Sequence, residues 1–532
     1  MESTLIMEVS WEVCNKIGGI YTVLASRAST MLQRHGDEGV LFVGPLLGGE
    51  KQQSEFVEED GTQARSLSKA CGLTVKLGRW NVPGNPRVAL VDYRPLFEQK
   101  GDLYFEMWNK YGIRGELGYG DYDESCIFAI AAAKVMAAYN SLVKPERSVG
   151  IFDEWTTGMG LLYSKIFSPK MGTIFITHAT TVGRSIAGNG KPLYGELDHY
   201  NGDQMAQELN VVCKHSVEKA AAHHATIFAT VSDVTAQEAY KLLGRKVDAV
   251  LYNGFEPDLI PSAIEQKQIR LKGRAKIKNM VEVLYGTTLC SEPMIVATSG
   301  RNEYRNKGID VFIESLRKIE RDNQRDLIAI IAVPGWVKEP RKDLRFAIDQ
   351  SIELTLPMQR PFLTHELFDP WDNPIFRRLY ELKEHWGGGV FPVLIPDYLR
   401  KGDGMLDMGY YEFLSTVDLT IFPSYYEPWG YTPLESVACG VPTITTDKSG
   451  FGLWAMGEAA FKDALGVQVL HRDDYNFDGL STRIMEEIIR YASLDAQERE
   501  GAAQSARQLA ELANWSHFYQ RYEEAMKQVL DC

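Results

Sequence analysis

The chain has 532 residues, 45% of them apolar and 24% charged, a globular balance that excludes a disordered or collagen-like polypeptide. Lys and Arg number 57 against 71 Asp and Glu, a formal charge of −14, so nucleic acid is not an expected partner. Two large domains are expected, because single cores stop growing beyond about 250 to 300 residues.

The N-terminal stretch MESTLIMEVSWE carries acidic residues where a secretion signal needs basic ones, and runs at once into a strand pattern. Short runs rich in Val, Ile and Phe then alternate with helix-period segments, which predicts βα units around mostly parallel sheets. The first series of strands is predicted at Leu5–Val9, Val40–Val43, Val88–Val91, Val149–Phe152, Thr173–Thr177, Ile227–Val231 and Val250–Tyr252, with helices at Tyr21–Gln33 and Ile127–Tyr139. Ile127–Tyr139 is the longest apolar stretch and contains Lys134. It falls short of the ~20 residues that span a bilayer, so no membrane partner is expected.

Pro257–Cys290 lacks a strand pattern and gathers Lys267, Arg270, Lys272, Arg274, Lys276 and Lys278. It reads as a solvated amphipathic helix or linker, with anion binding as the sharper alternative. A second strand series follows at Met294–Ser299, Leu327–Val333, Val390–Leu394, Leu419–Phe422, Pro442–Thr445 and Val467–Leu470, interrupted by an irregular insertion at Trp336–Gly388. Asp495–Leu530 predicts two helices with Trp515 and Tyr519 as packing anchors. The expected fold class is α/β, two Rossmann-like doubly wound domains with a cleft between them, at 1–256 and 257–514, and a C-terminal helix at 515–532 packing back on the first. Ligands in such sheets sit at the carboxyl ends of strands.

The residues that carry chemistry fall at those ends. Lys16, Gly18 and Gly19 open the first helix, where missing side chains let backbone amides approach an anion. Asp153, Glu154 and Trp155 close one strand as local structure, with sugar contact open. His178 closes the next, with Arg184 following; a strand-end histidine there can meet a substrate hydroxyl. Arg301 and Lys307 follow the first strand of the second series and suit a diphosphate clamp. In the segment Phe422–Glu435, Glu427 lies in a loop and Gly430, Tyr431 and Thr432 start a helix whose amides can receive phosphate oxygens. Glu435 on that helix suits the two hydroxyls of a ribose. The glutamate pair also suggests glycoside hydrolysis, a rival that places them on opposite sides of a sugar. Asp121 and Asp123 read as a capping turn, and His223 and His224 as helix packing. Seven cysteines (Cys14, Cys71, Cys126, Cys213, Cys290, Cys439, Cys532) are odd in number and form no CxxC pair. Neither disulfides nor zinc are expected, and a reducing cytoplasm fits.

Taken together, KIGGIYTVL, DEW, THATTVGR, GRNEYRNKG, YYEPWGYTPLE and GVPTITTDKSGFG resemble the eukaryote-type glycogen synthases, from about Leu5 to the last helix. The resemblance implies the two-domain GT-B fold and retaining transfer of glucose from UDP-glucose to the non-reducing end of an α-1,4-glucan such as glycogen, with no cofactor and no metal. It implies Glu427 near the transferred glucose, Glu435 at the ribose, Arg301 and Lys307 on the diphosphate, and His178 on the glucosyl group. Arg184 and Lys16 would be further basic residues, Tyr410 would stack on uracil, and Trp429, Gly430, Tyr431 and Thr432 would contact substrate. Regulation through the family's phosphorylated tails is not expected, nor is its arginine-rich regulatory helix, since Arg483, Arg490, Arg499 and Arg507 are scattered. Weak or absent activation by glucose 6-phosphate is therefore expected. The short insertion leaves a homo-oligomer open, and ADP-glucose as donor, a catalytically inactive glucan-binding scaffold or a phosphorylase are the alternatives.

Overall fold

The computed structural model describes residues 4–59, 61–320, 325–458 and 465–531. The first two residues of the N-terminal stretch, Ser3 and Cys532 lie outside them. The chain divides into two units, Met1–Glu256 with Ala513–Cys532, and Pro257–Leu512.

The first unit is built on a nine-stranded sheet of β1 (Thr4–Val9), β2 (Val40–Pro45), β3 (Phe56–Glu58), β4 (Val75–Trp80), β5 (Arg87–Val91), β6 (Arg147–Asp153), β7 (Gly172–Thr177), β8 (Ile227–Thr230) and β9 (Ala249–Val250). Its order is β3-β4-β5-β2-β1-β6-β7-β8-β9. The strands from β5 to β9 pair in parallel, as unbroken apolar runs buried on both faces should. The β3–β4–β5 edge is antiparallel; β5 was expected at Val88–Val91, whereas β3 and β4 were absent from the expected elements.

The apolar stretch foreseen at Ile127–Tyr139 is longer than its reading: the helix runs Tyr122–Val143, 22 residues, long and apolar enough for a membrane span. The expectation that it is too short is corrected; 61% of its apolar window is buried, largely against the helix Trp155–Phe167. Asp121 stands at its start but makes no cap hydrogen bond and instead pairs with Lys214 at 2.7 Å. Asp123 receives the Tyr104 hydroxyl at 2.9 Å, so the pair sits in the turn at the helix N-cap, as expected, with carboxylates that anchor neighbouring side chains and do not cap the helix amides. His223 does pack at a helix end, its Nε2 2.8 Å from the Leu243 carbonyl. The helix Trp515–Asp531 packs on this same unit, with Trp515 and Tyr519 each 1% exposed.

The second unit holds a six-stranded, wholly parallel sheet of β10 (Met294–Ser299), β11 (Leu327–Ala332), β14 (Val390–Ile395), β15 (Leu419–Ile421), β16 (Thr443–Thr446) and β17 (Val467–Leu470), ordered β14-β11-β10-β15-β16-β17. Between β11 and β14 the insertion forms helices Lys342–Asp349 and Pro374–Glu381 and an antiparallel pair, β12 (Val337–Pro340) with β13 (His365–Leu367). The basic segment is the helix Ala263–Tyr285, started by a Ser262–Glu265 capping box. Neither solvation nor anion binding describes its arginines. Arg270 and Arg274 both grip the buried carboxylate of Asp418 and neighbouring carbonyls, clamping the helix to the strand that follows.

Candidate active site

In the second unit, three loops meet at the carboxyl ends of β10, β15 and β16. Gly308 makes the approach close: a Cβ there would lie 2.0 Å from the Pro423 carbonyl oxygen, and its φ is +70°. Tyr425 and Tyr426 donate their backbone N–H groups to the Asn306 carbonyl at 2.8 and 3.1 Å. Arg305 and Arg472 lie 4.9 and 5.5 Å from the Tyr425 ring centroid. These contacts seat one loop against the next.

Their result is an ion pair. Lys307 and Glu427, far apart in sequence, are joined ammonium to carboxylate, with side chains only 13% and 11% exposed. Arg301 is not brought into this pair: it is largely exposed and bonds Glu303 at 3.0 Å. From Glu427 the chain is held by β16's neighbour, where Gly450 donates to the Glu427 carbonyl at 3.0 Å and Phe451 to that of Trp429 at 2.7 Å. The Trp429 indole is 3% exposed and packs on Phe451 and Trp454, so its side chain anchors the loop.

Gly430, at φ +109°, turns the chain into the helix Tyr431–Ala438, which has no side-chain cap. Its first-turn amides, Tyr431 and Thr432, point where an anion is favoured. Glu435 on this helix receives the Tyr411 hydroxyl at 2.9 Å, a partner that sequence reasoning missed because the adjacent Tyr410 had taken the aromatic role. Tyr410 is half-buried against the core and shares a hydrogen bond with Ser299 at 2.8 Å.

In the first unit, His178 follows β7 and is 8% exposed, its Nε2 2.9 Å from Asp153 Oδ1. Glu154 holds the same loop by accepting the N–H groups of His178 and Ala179 at 3.2 and 3.1 Å. Glu154 has φ +66°, a conformation costly for a residue with a Cβ and concentrated at functional sites. Behind the loop, Glu218 accepts the Thr181 N–H at 2.9 Å and the Thr177 hydroxyl at 3.4 Å. Burial raises the Asp153 carboxyl to about 6 and the Glu218 carboxyl to about 8, the latter helped by Glu154. Burial lowers His178, which is therefore neutral at pH 7. The DEW signal could have disclosed Asp153 and Glu154 as partners of His178; nothing local marked Glu218. Burial raises the Glu154 carboxyl, and Arg184, exposed on the helix Thr181–Gly188, lies near enough to oppose that rise.

The Gly-Gly turn holds an anion already, and it is the chain's own. Gly18 and Tyr21 donate their N–H groups to Glu12 Oε2 at 2.8 Å each, and a Cβ on Gly18 would sit 2.9 Å from Glu12 Oε1. Gly19 begins the helix and Lys16 lies 5.4 Å from the Tyr21 ring centroid. Among the described residues no cluster of three His, Cys, Asp or Glu could hold a metal ion.

The glycogen synthase family model matches residues 8–336 and 341–532, nearly the whole chain. The chain belongs to the glycogen synthase family. Among relatives of this glycogen synthase family member, the glycogen [starch] synthase of Neurospora crassa is 26% identical over 598 residues, covering 100% of this chain and 84% of that one. The liver glycogen [starch] synthase of Homo sapiens is 28% identical over 592 residues, covering 99% and 83%. Among solved structures, sucrose-phosphate synthase from Thermosynechococcus elongatus matches with a TM-score of 0.54 at 14% identity, over 99% of both chains. The catalytic domain of starch synthase IV from Arabidopsis thaliana, bound to ADP and acarbose, matches at 0.56 and 13%, also over 99% of both. The fold is that of the GT-B glycosyltransferases, as expected, and the family makes this chain a glycosyltransferase.

Proposed function

We propose that this chain is a retaining glucosyltransferase that moves glucose from UDP-glucose to the non-reducing end of an α-1,4-glucan. The observation that carries the reading is the Lys307–Glu427 pair beside the uncapped start of the helix Tyr431–Ala438. Departure of the nucleoside diphosphate leaves an oxocarbenium-like sugar and a new negative charge on the leaving group. The Lys307 ammonium, the Arg301 guanidinium and the helix N-terminus oppose that leaving-group charge, and the Glu427 carboxylate, exposed by the departing Lys307 contact, faces the sugar. Retention follows when the acceptor hydroxyl attacks the same face within the ion pair, its proton passing to the leaving diphosphate.

Glu435, oriented by Tyr411, is assigned to the ribose and Tyr410 to the base. His178, with Arg184, is assigned to the glucosyl group, and Lys16, Gly18 and Gly19 to an anionic group of the donor, which would displace Glu12. Recognition of the base and ribose then belongs to 257–514, while 1–256, supported by the helix at 515–532, supplies the acceptor contacts together with Lys16, Gly18, Gly19, His178 and Arg184. Arg483 and Arg490 both bind Glu487, at 3.0 and 2.6 Å, which supports the expected indifference to glucose 6-phosphate.

The test is incorporation of labelled glucose into glycogen from UDP-glucose and from ADP-glucose at matched concentration, in chelator. Transfer from UDP-glucose supports the reading. Preference for ADP-glucose, the nucleotide class found on the Arabidopsis neighbour, overturns the donor, and no transfer from either overturns the activity.

A further inference from the structure

Three acidic and basic side chains of the first unit step diagonally across neighbouring strands on one face. Glu8 of β1 lies opposite Ile151 of β6, so Asp153, two residues on, projects from the same face. Asp153 in turn lies opposite Ile176 of β7, and His178 is again two residues on. Over this diagonal lies Arg27 from the helix Gly19–His35, ion-paired to Glu8. Glu8, Arg27 and Asp153 are all 1% exposed or less. Trp515 and Tyr522, from the helix Trp515–Asp531, cover the guanidinium with ring centroids 5.6 and 4.3 Å from Cζ. The Trp515 indole N–H donates to Ser26 Oγ at 2.8 Å, fixing that cover.

As a fastener this pair is poor. Arg27 Nε and Nη1 are buried with no hydrogen-bond partner, while Glu8 and Asp153 lie close enough to share a hydrogen bond once one of them is protonated, and an ion pair so incompletely satisfied contributes little net stability. Its charge count is informative. Two carboxylates face one guanidinium out of water, so the cluster is neutral only when one carboxyl keeps a proton. Burial raises both, Glu8 to about 8 and Asp153 to about 6, and Arg27 opposes the rise at each. At pH 7 the proton stays on Glu8 and Asp153 is ionised. An ionised carboxylate can only accept, so His178 carries its proton on Nε2 and presents Nδ1 as its lone-pair nitrogen.

We propose that Arg27 and Glu8, capped by Trp515 and Tyr522, are positioning residues that hold Asp153 in its hydrogen-bond-accepting form and thereby fix the ring orientation and tautomer of His178. The proposal rests on the glucosyl-transfer reading for its activity readout. The groups facing Asp153 are Glu8 and Glu12 from the first strand and the loop after it, Arg27, His178, and Tyr522.

The experiment compares Arg27→Met and Glu8→Gln with the parent enzyme in kcat-versus-pH profiles for transfer from UDP-glucose, with thermal unfolding as the fold check. Arg27→Met removes the cation that keeps Asp153 ionised. Its acid limb moves to higher pH by about one unit, about a tenfold loss below the limb, recovering by pH 9, while KM for UDP-glucose holds. Glu8→Gln puts a neutral amide, still able to donate to Asp153, in the place of the protonated Glu8, so its limb stays where it is. A limb that moves when the cation is lost and holds when only the protonated carboxyl is replaced is not produced by a merely structural contact. A folded Arg27→Met whose limb stays in place, or which loses activity equally at every pH, overturns the proposal, as does a Glu8→Gln limb that moves as far as that of Arg27→Met. If Arg27→Met does not fold, the Arg27→Gln limb decides in its place. The His178 imidazole is also titrated by NMR without substrate. If transfer itself is absent, an unchanged tautomer and titration in Arg27→Met sinks the proposal, and a shift there supports it, independently of the glucosyl-transfer reading.

Discussion

The Lys307–Glu427 pair lends itself to a double-mutant cycle that separates its charge from its chemistry. Both side chains are about nine-tenths buried, so Lys307→Met leaves an uncompensated carboxylate in a largely dry loop junction. Breaking a fully buried pair costs about 3 to 5 kcal/mol, and the residual exposure here sets the expectation at the low end, about 3 kcal/mol. Glu427→Gln, which keeps the shape and removes the charge, costs less, about 2 kcal/mol, because the stranded ammonium can reach water along its flexible stem. The double variant carries no charge at all and recovers about 2 kcal/mol of the summed losses, a coupling within the range of contacting residues. Turnover follows another rule: each single variant and the double variant lose 100-fold or more, since a charge stabiliser for the leaving group or the sugar is missing in all three. The assay is chemical unfolding followed by tryptophan fluorescence, run beside initial rates of labelled glucose transfer. Strictly additive stability losses, or a double variant that regains turnover together with stability, would refute the reasoning.

Arg301→Ala is expected to lower kcat by about 100-fold to 1000-fold with an unchanged unfolding midpoint, because the Arg301 side chain is 61% exposed and its ion pair with Glu303 contributes little to stability; near-parental turnover removes it from the diphosphate. Gly308→Ala forces a Cβ against the Pro423 carbonyl at positive φ, and should cost about 2 kcal/mol or more and about 100-fold in turnover by displacing Lys307; calorimetry and initial rates check it together. Glu218 keeps its proton in the folded state to about pH 8 and loses it near the ordinary carboxylate value when unfolded, so folding binds a proton between those values and stability falls as pH rises through them. Glu218→Gln removes that dependence, stabilising the protein at pH 8 by at most about 1.4 kcal/mol per pH unit of the interval and leaving it unaffected below pH 4; equal midpoints at pH 8 for parent and variant contradict this.

The parallel strands were legible because a strand covered on both faces is a continuous run of Val, Ile and Leu, as Leu327–Ala332 is. The antiparallel edge was not. Val75–Trp80 alternates apolar residues with Lys76, Gly78 and Arg79, and its partner Phe56–Glu58 is short and exposed, so neither carries enough apolar signal. Gly78 is there for close approach: a Cβ would lie 2.1 Å from the Val57 carbonyl. The site was legible as a set of loop motifs at strand ends, while its pairings were not, because Lys307 with Glu427 and Asp153 with His178 meet only after the sheet is assembled. Arg27 was invisible for a simpler reason: a cation inside an amphipathic helix pattern reads as solvent-facing, and only the aromatic cover from Trp515 and Tyr522 makes it a buried charge. Trp515 and Tyr519 were legible as anchors of a helix on the first domain, though Trp515 was not legible as the cover of Arg27.

The return of the helix Trp515–Asp531 to the first unit sets an order of events at the ribosome. The first strands emerge early, yet the rings that shield Arg27, and the Val529 side chain that fills the space over Gly172, are translated only after the entire second unit. At ribosomal rates that interval is on the order of tens of seconds. Throughout it the nascent first unit lacks the cover of its apolar face and of the Arg27–Glu8 ion pair, and the arrival of its final helix is the step that completes it.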